Sequence, residues 1–296
     1  MRHLVLGWRR DGRRLVFAFA LGAIALGAMG ARAESPDRAP PECREQVAAA
    51  LRALRPALPA QCTLERAILA YAPGRFHPVD EGALPSPRAS GVCPTGMANV
   101  ANRFCIDRWE DTLALRRADG EVAWSPFESP LPGHVYVAHT SAGVTPQAYV
   151  SASQAQSACA AAGKRLCAPV EWRAACGGSR GDAYPYGPTR APGKCHDSGV
   201  TPALALHTHD LNDPRLDQIE GTIAKTGAYA DCVNDYGVYD MVGNLDEWTA
   251  DPNGTFQGGY WLDTSEHGEG CAYRTIAHDF AYHDYSTGFR CCADLR

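Results

Sequence analysis

The cysteines constrain this chain more than anything else in it. There are twelve in 296 residues, an even number. None stands in the Cys-x-x-Cys spacing that zinc and dithiol redox sites use. In an oxidising compartment such a set reads as a disulfide framework. Adjacent Cys291 and Cys292 make a poor chelate, but neighbouring cysteines commonly bridge two different partners.

The start of the chain points to the same compartment. Arg2, Arg9, Arg10, Arg13 and Arg14, opposed only by Asp11, precede an apolar run over residues 15–30 and then Ala31-Arg32-Ala33. A basic n-region, a short h-region and an A-x-A site spell a secretory signal peptide over residues 1–33, cleaved after Ala33. As a membrane anchor the run is too short for a bilayer core of about 30 Å. The expectation is an exported protein, periplasmic, in the cell envelope or extracellular, with no membrane attachment once the signal is gone. Net charge is −5 and the basic cluster is confined to the signal. Nucleic acid and anionic membrane surfaces are therefore not expected partners.

Residues 34–41 are Pro, Ser and charge, a linker. Residues 43–71 show apolar positions at helical spacing, broken by Pro56 and Pro59, and read as a helical hairpin that a Cys43–Cys62 bridge could tie. A second linker over residues 72–90 completes a region, 34–90, of short helical hairpin and linkers. The main domain, residues 91–296, is long enough to bury its own core. Its clearest helix spans residues 151–165, with Ser151 or Ser153 as N-cap and Gly163 at its end. A shorter one spans residues 168–178, with Pro169 in the first turn and Gly177 past the end. The remainder reads as loop and short strand.

Several strings in this domain recur together in one known family. They are CPTGMANVANRFCIDRWE from Cys93, YVSASQAQSACAAAGKRLCAPVEWRAACGG from Tyr149, YPYG at Tyr184, DYGVYDMVGNLDEWTAD from Asp235, FQGGYW from Phe256 and STGFRCCAD from Ser286. In this order they resemble the formylglycine-generating (sulfatase-modifying factor) enzymes, a superfamily with ergothioneine- and pyoverdine-pathway relatives. The resemblance implies an α+β, C-type-lectin-like fold with low regular secondary structure, rich in disulfides. Within it Trp172, Trp248 and Phe289 read as core. Lys164 and Arg165 read as cations offsetting the carbonyl dipoles at a helix C-terminus.

The resemblance also implies bridges Cys159–Cys291 and Cys176–Cys271, and Cys93–Cys105 is a natural local pair. Cys167, Cys195, Cys232 and Cys292 are left to make two more, with Cys195–Cys232 and Cys167–Cys292 the first choice among pairings left open. It carries a calcium site onto DMVGNLDE: side-chain oxygens of Asp240 and Glu247, carbonyls of Gly243 and Leu245. Hard oxygens in that mixture suit Ca2+. A second calcium site would fall near His196 and Asp197, where the match is loose.

The family's oxidase chemistry needs two copper-binding cysteines just after the Gly-Gly of the late strand, because soft thiolates select Cu(I). Here that loop reads GGYWLDTSEHGEGC. The first position falls at about Asp263 and the second among Ser265, Glu266 and His267, and neither is cysteine. Formylglycine generation by the copper route is not expected, nor is copper or iron as cofactor. The leading expectation is a calcium-stabilised binding or accessory module presenting residues 206–225 and 262–284 to a peptide, protein or glycan. The alternative is a metal-dependent oxidoreductase, with non-haem iron or copper held by His267, His278 and His283 beside Asp263, and His207 and His209 as a further candidate pair. A plain structural component of the envelope is the third reading.

Overall fold

In the computed structural model residues 79–200 and 210–296 are described, all within one compact unit, Ile68–Arg296. The expected signal peptide, the helical hairpin, Cys43–Cys62, His207 and His209 lie outside the described residues. No helix among the described residues is long and apolar enough to cross a membrane.

The first element among the described residues is a hairpin, β1 (Met97–Val100) and β2 (Phe104–Asp107), turned by left-handed backbone at Ala101 and Asn102. Next comes an antiparallel sheet of β3 (Asp111–Arg117), β4 (Gly120–Ala123) and β5 (Tyr136–Thr140), in the order β4-β3-β5. Helix α1 (Ala152–Ala161) follows. Its start is a capping box: Ser151 Oγ accepts from Gln154 N–H at 3.3 Å, and Gln154 Oε1 accepts from Ser151 N–H at 2.8 Å. It ends in a Schellman motif around Gly163, φ +71°, with Lys164 N–H on the Cys159 carbonyl at 2.8 Å. The helix is thus shorter than expected, because Gly163 stops it before Lys164 and Arg165 can join. Those two cations make ion pairs instead of capping a helix. Lys164 lies 2.7 Å from Asp107 and Arg165 lies 2.6 Å from Glu171.

After β6 (Arg165–Leu166), helix α2 (Pro169–Cys176) starts at a proline and ends at Gly177, as read from the sequence. A second mixed sheet, in the order β10-β7-β8-β9, is built from β7 (Asp246–Trp248), β8 (Phe256–Gln257), β9 (Arg274–Thr275) and β10 (Thr287–Phe289). The last strand, β11 (Cys291–Ala293), leaves this sheet and enters the first, whose order is β1-β2-β11-β6. The fold class is α+β with little regular secondary structure, as the resemblance implied.

The described cysteines form five bridges: Cys93–Cys105, Cys159–Cys291, Cys167–Cys292, Cys176–Cys271 and Cys195–Cys232. Strand alternation explains how adjacent cysteines find different partners. Cys291 points into a core shared with Cys159, Trp248, Phe256 and Phe289. Cys292 points into the other, with Cys167, Phe104, Ile106 and Trp172. Trp172, Trp248 and Phe289 are all buried. Three bridges span sequence separations of 132, 125 and 95 residues. Each alone is worth on the order of 4–5 kcal/mol by loop-closure entropy, less when the loops nest.

Candidate functional site

The loop from Asp240 to Glu247 runs into β7 of the mixed sheet. Backbone at Asp240, Gly243 and Asn244 is left-handed, with φ of 57°, 81° and 61°. Gly243 has no room for a Cβ, which would run into the His196 carbonyl. The Asn244 amide donates to Glu110 Oε2 at 2.6 Å and its carbonyl oxygen accepts from Ala224 N–H at 2.8 Å. Leu245 N–H donates to the other Glu110 oxygen at 3.2 Å. Glu110 was not among the residues singled out from the sequence, and it closes this loop.

Glu247 is held by Arg290, the single residue linking β10 to β11. Arg290 Nε and Nη2 donate to its two carboxylate oxygens at 2.7 and 2.6 Å, and Trp172 Nε1 donates at 2.7 Å. Two further guanidinium hydrogens reach the carbonyls of Asp107 and Tyr239 at 3.2 and 2.9 Å. Arg290 is fully buried. Burial disfavours its charge, yet the Glu247 carboxylate holds its pKa above the ordinary arginine value.

Around this one cation stand three buried carboxyls, Glu110, Asp240 and Glu247. Burial pushes Asp240 up to about 6, against the pull of the Gly227 N–H and Arg290. Glu110 is pushed well above the carboxylate range by burial, then by the charges of Asp240 and Glu247. A cluster with more acid than base, fed by left-handed turns, fits a hard divalent cation. Glu247 retains one lone-pair site, on Oε1, beyond the three that Arg290 and Trp172 use. Asp240, Glu247 and the carbonyls of Gly243 and Leu245 offer the hard oxygens that calcium takes, while Glu110, whose two oxygens accept from Asn244 and Leu245, is engaged by the loop itself. Near the second expected site, Asp197 pairs with Arg190 at 2.8 Å and His196 bonds the Thr222 carbonyl.

The late-loop residues do not converge. The His278 ring packs on Phe256 and Tyr282 at centroid distances of 4.4 and 5.0 Å. His267 lies 5.7 Å from the Tyr273 ring, and His283 Nδ1 is 2.6 Å from Asn212 Oδ1. Asp263 Oδ1 accepts from Ser265 and Glu266 N–H at 2.8 and 2.9 Å, and Oδ2 accepts from Tyr273 OH at 3.0 Å. Among the described residues, one group of three His, Cys, Asp or Glu has ligand atoms within 4.8 Å of one another: Asp111, Cys159 and Cys291. Its sulfurs are bonded as a disulfide. The histidine and Asp263 set expected for an oxidase is therefore corrected: short loops pinned by Asx turns and ring packing keep its members apart.

A second acid group surrounds the start of β7. Asp246 is 3% exposed and its Oδ1 has no hydrogen-bond partner. Burial, then the charges of Asp284 and Asp263, raise its pKa well above the ordinary value. The sequence offered a signal for it. Asp246 and Glu247 are consecutive in a strand flanked by core residues, so two acids had to enter opposite buried faces.

Residues 103–295 match the family described as Sulfatase-modifying factor enzyme 1-like domain. The chain is 33% identical over 129 residues to "Inactive C-alpha-formylglycine-generating enzyme 2" of Bos taurus, covering 41% of this chain and 40% of that protein. It is 33% identical over 107 residues to "Formylglycine-generating enzyme" of Mus musculus, covering 36% of this chain and 27% of that one. A solved structure of PvdO from Pseudomonas aeruginosa superposes with a TM-score of 0.42 at 15% identity, over 74% of this chain and 92% of that one. The chain thus spans less than half the length of these curated relatives.

Proposed function

This chain belongs to the sulfatase-modifying factor enzyme 1-like domain family, and from that premise we propose that it is an exported, calcium-stabilised binding or accessory module without formylglycine-generating activity. One observation carries the reading. All ten described cysteines are tied in disulfides, and a carboxylate locked by Ser265, Glu266 and Tyr273 stands at Asp263, where the family's first copper thiol is expected. A carboxylate cannot supply the soft thiolate that Cu(I) selects. The similarity to a relative named as inactive supports the same reading. Asp240, Gly243, Leu245 and Glu247 would hold calcium, which would offset the acid excess beside Arg290. Five bridges fit an oxidising compartment and support export. A rigid scaffold of this kind presents loops for recognition, and a peptide, protein or glycan ligand is proposed for the late loops.

The test is to purify the oxidised chain from residue 34 onward and measure metals by elemental mass spectrometry. A cysteine-containing sulfatase peptide is then incubated with it, with and without Cu(I). About one calcium per chain and no aldehyde in the peptide are expected. Copper-dependent aldehyde formation would overturn the reading.

A further inference from the structure

One buried cluster of charge contributes no side chain to the calcium loop or to the late loops. Asp107 closes β2, Asp111 opens β3, and Lys164 stands in the turn between α1 and β6. Both carboxyls are fully buried, and the Lys164 side chain is 11% exposed. Lys164 Nζ lies 2.7 Å from Asp107 Oδ1 and 2.8 Å from Oδ2. Contact with both oxygens sets the nitrogen about 3 Å from the carboxyl carbon, the separation of a near-attack pair. A turn of the carboxyl about its Cβ–Cγ bond brings the face of that carbon to the nitrogen.

Asp111 supplies a third group. The Cys291 N–H donates to both Asp107 Oδ2 and Asp111 Oδ2, at 3.2 and 3.1 Å, so the two carboxyls lie against each other. Asp111 Oδ1 is buried and has no hydrogen-bond partner. Burial, then the Asp107 charge, raises the Asp111 pKa well above the ordinary value, and the two acids are hydrogen-bonded to each other. Burial raises Asp107 as well, against the pull of Lys164. Arg290, the other cation acting on Asp111, is already engaged by Glu247. The cluster therefore holds one ammonium, one carboxylate and one carboxylic acid. Passing a proton from Lys164 to Asp107 turns the ion pair into a neutral amine beside a neutral acid, and burial, which disfavours both charges, lowers what that costs. A neutral amine and a neutral acid are the reactants of an amide.

We propose that Lys164 and Asp107 join in an intramolecular isopeptide bond, with Asp111 as the general acid–base. The neutral Nζ adds to Asp107 Cγ and forms the N–C bond. Asp111 gives a proton to the departing oxygen and takes one from the nitrogen, so it ends as it began. The C–O bond breaks and one water leaves. An amine and an acid go in, an amide and a water come out, and no oxidation state changes. The water has a way out, because Lys164 also lines an open cleft with Thr95, His139 and Thr140. The bond would tie the end of β2 to the turn after α1, close to the Cys159–Cys291 bridge, and unlike that bridge it withstands thiols.

The experiment purifies the folded, oxidised chain, then reduces and denatures it for intact-mass spectrometry and for tandem mass spectrometry of a tryptic digest. The expected mass is one water below that of the reduced sequence. The digest is expected to hold a linked pair of peptides carrying Asp107 and Lys164, with no cleavage after Lys164. Lys164→Arg restores the full mass, since a guanidinium does not give up its proton. Asp111→Asn restores it too, while its disulfide map and melting curve stay those of a folded chain. Asp111→Val, apolar at a buried strand position, takes its place if the amide does not fold. Full mass in the native chain after prolonged incubation would overturn the proposal whatever the variants do. A cross-link that forms unchanged in a folded Asp111 variant would overturn it as well, as would a lost water that maps elsewhere in the chain.

Discussion

At the scale of single residues, Arg290 does most to hold the candidate site. It forms the only side-chain ion pair of Glu247 among the described residues, and it braces two carbonyls besides. Removing one partner of a buried pair leaves an uncompensated charge, at a cost of about 3–5 kcal/mol. Arg290→Met is expected to destabilise by that amount in denaturant unfolding, and Arg290→Met with Glu247→Gln to recover part of it. Asp240 gives a pH dependence whose sign can be worked out. Its folded pKa, raised to about 6 from 3.8, means that the folded state holds the proton longer than the unfolded one. Stability from this carboxyl is therefore greatest below about pH 4 and falls as pH rises toward 6, by no more than about 3 kcal/mol. Calcium, by favouring the ionised acid, is expected to flatten that fall. Thermal melts from pH 4 to 7 with calcium or with chelator check it, and identical curves would count against calcium at this loop. Glu110 escaped the sequence reading because its meaning comes from an amide and an N–H more than a hundred residues away.

At the scale of elements, the helices were legible and the strands were not. Ser151, Gly163, Pro169 and Gly177 act within one or two turns of their own helix, so local chemistry sets those boundaries. Ser151→Ala is expected to cost about 1 kcal/mol, read from equilibrium unfolding. Strands of two to four residues such as β6, β8 and β9 carry no periodicity, and their existence depends on partners far along the chain. The first sheet shows how far: β11 pairs with β2 across residues 106 and 292. Cys167→Ala with Cys292→Ala should destabilise by about 2–5 kcal/mol. It should also loosen β6 and β11 first in hydrogen exchange. Uniform loosening across all three sheets would show that the bridge acts only through the unfolded chain.

At the scale of the whole molecule, family and fold class were legible because ordered strings of Gly, Trp, Arg and Cys recur where turns, cores and bridges need those residue types. That the two expected thiol positions of the late loop hold no cysteine was legible for the same reason, since a missing cysteine is plain in a sequence. The acid group at Asp246 was legible only as two consecutive acids in a core strand, because its burial emerges only when the strand is packed. The histidines misled for the opposite reason: nearness in sequence between His267 and His283 suggested a shared ligand field, and the structure sends them to separate neighbours.

The adjacent cysteines of β11 carry a consequence for biogenesis. Cys159 and Cys167 lie eight positions apart and await partners 132 and 125 residues downstream. During vectorial delivery into an oxidising space they meet each other long before they meet Cys291 and Cys292. Cys93–Cys105 closes natively before them, but the first loop that Cys159 and Cys167 close is then a mispaired one, and their native pairing has to be reached by thiol–disulfide exchange. Yield of the native protein is accordingly governed by isomerase capacity more than by oxidant supply.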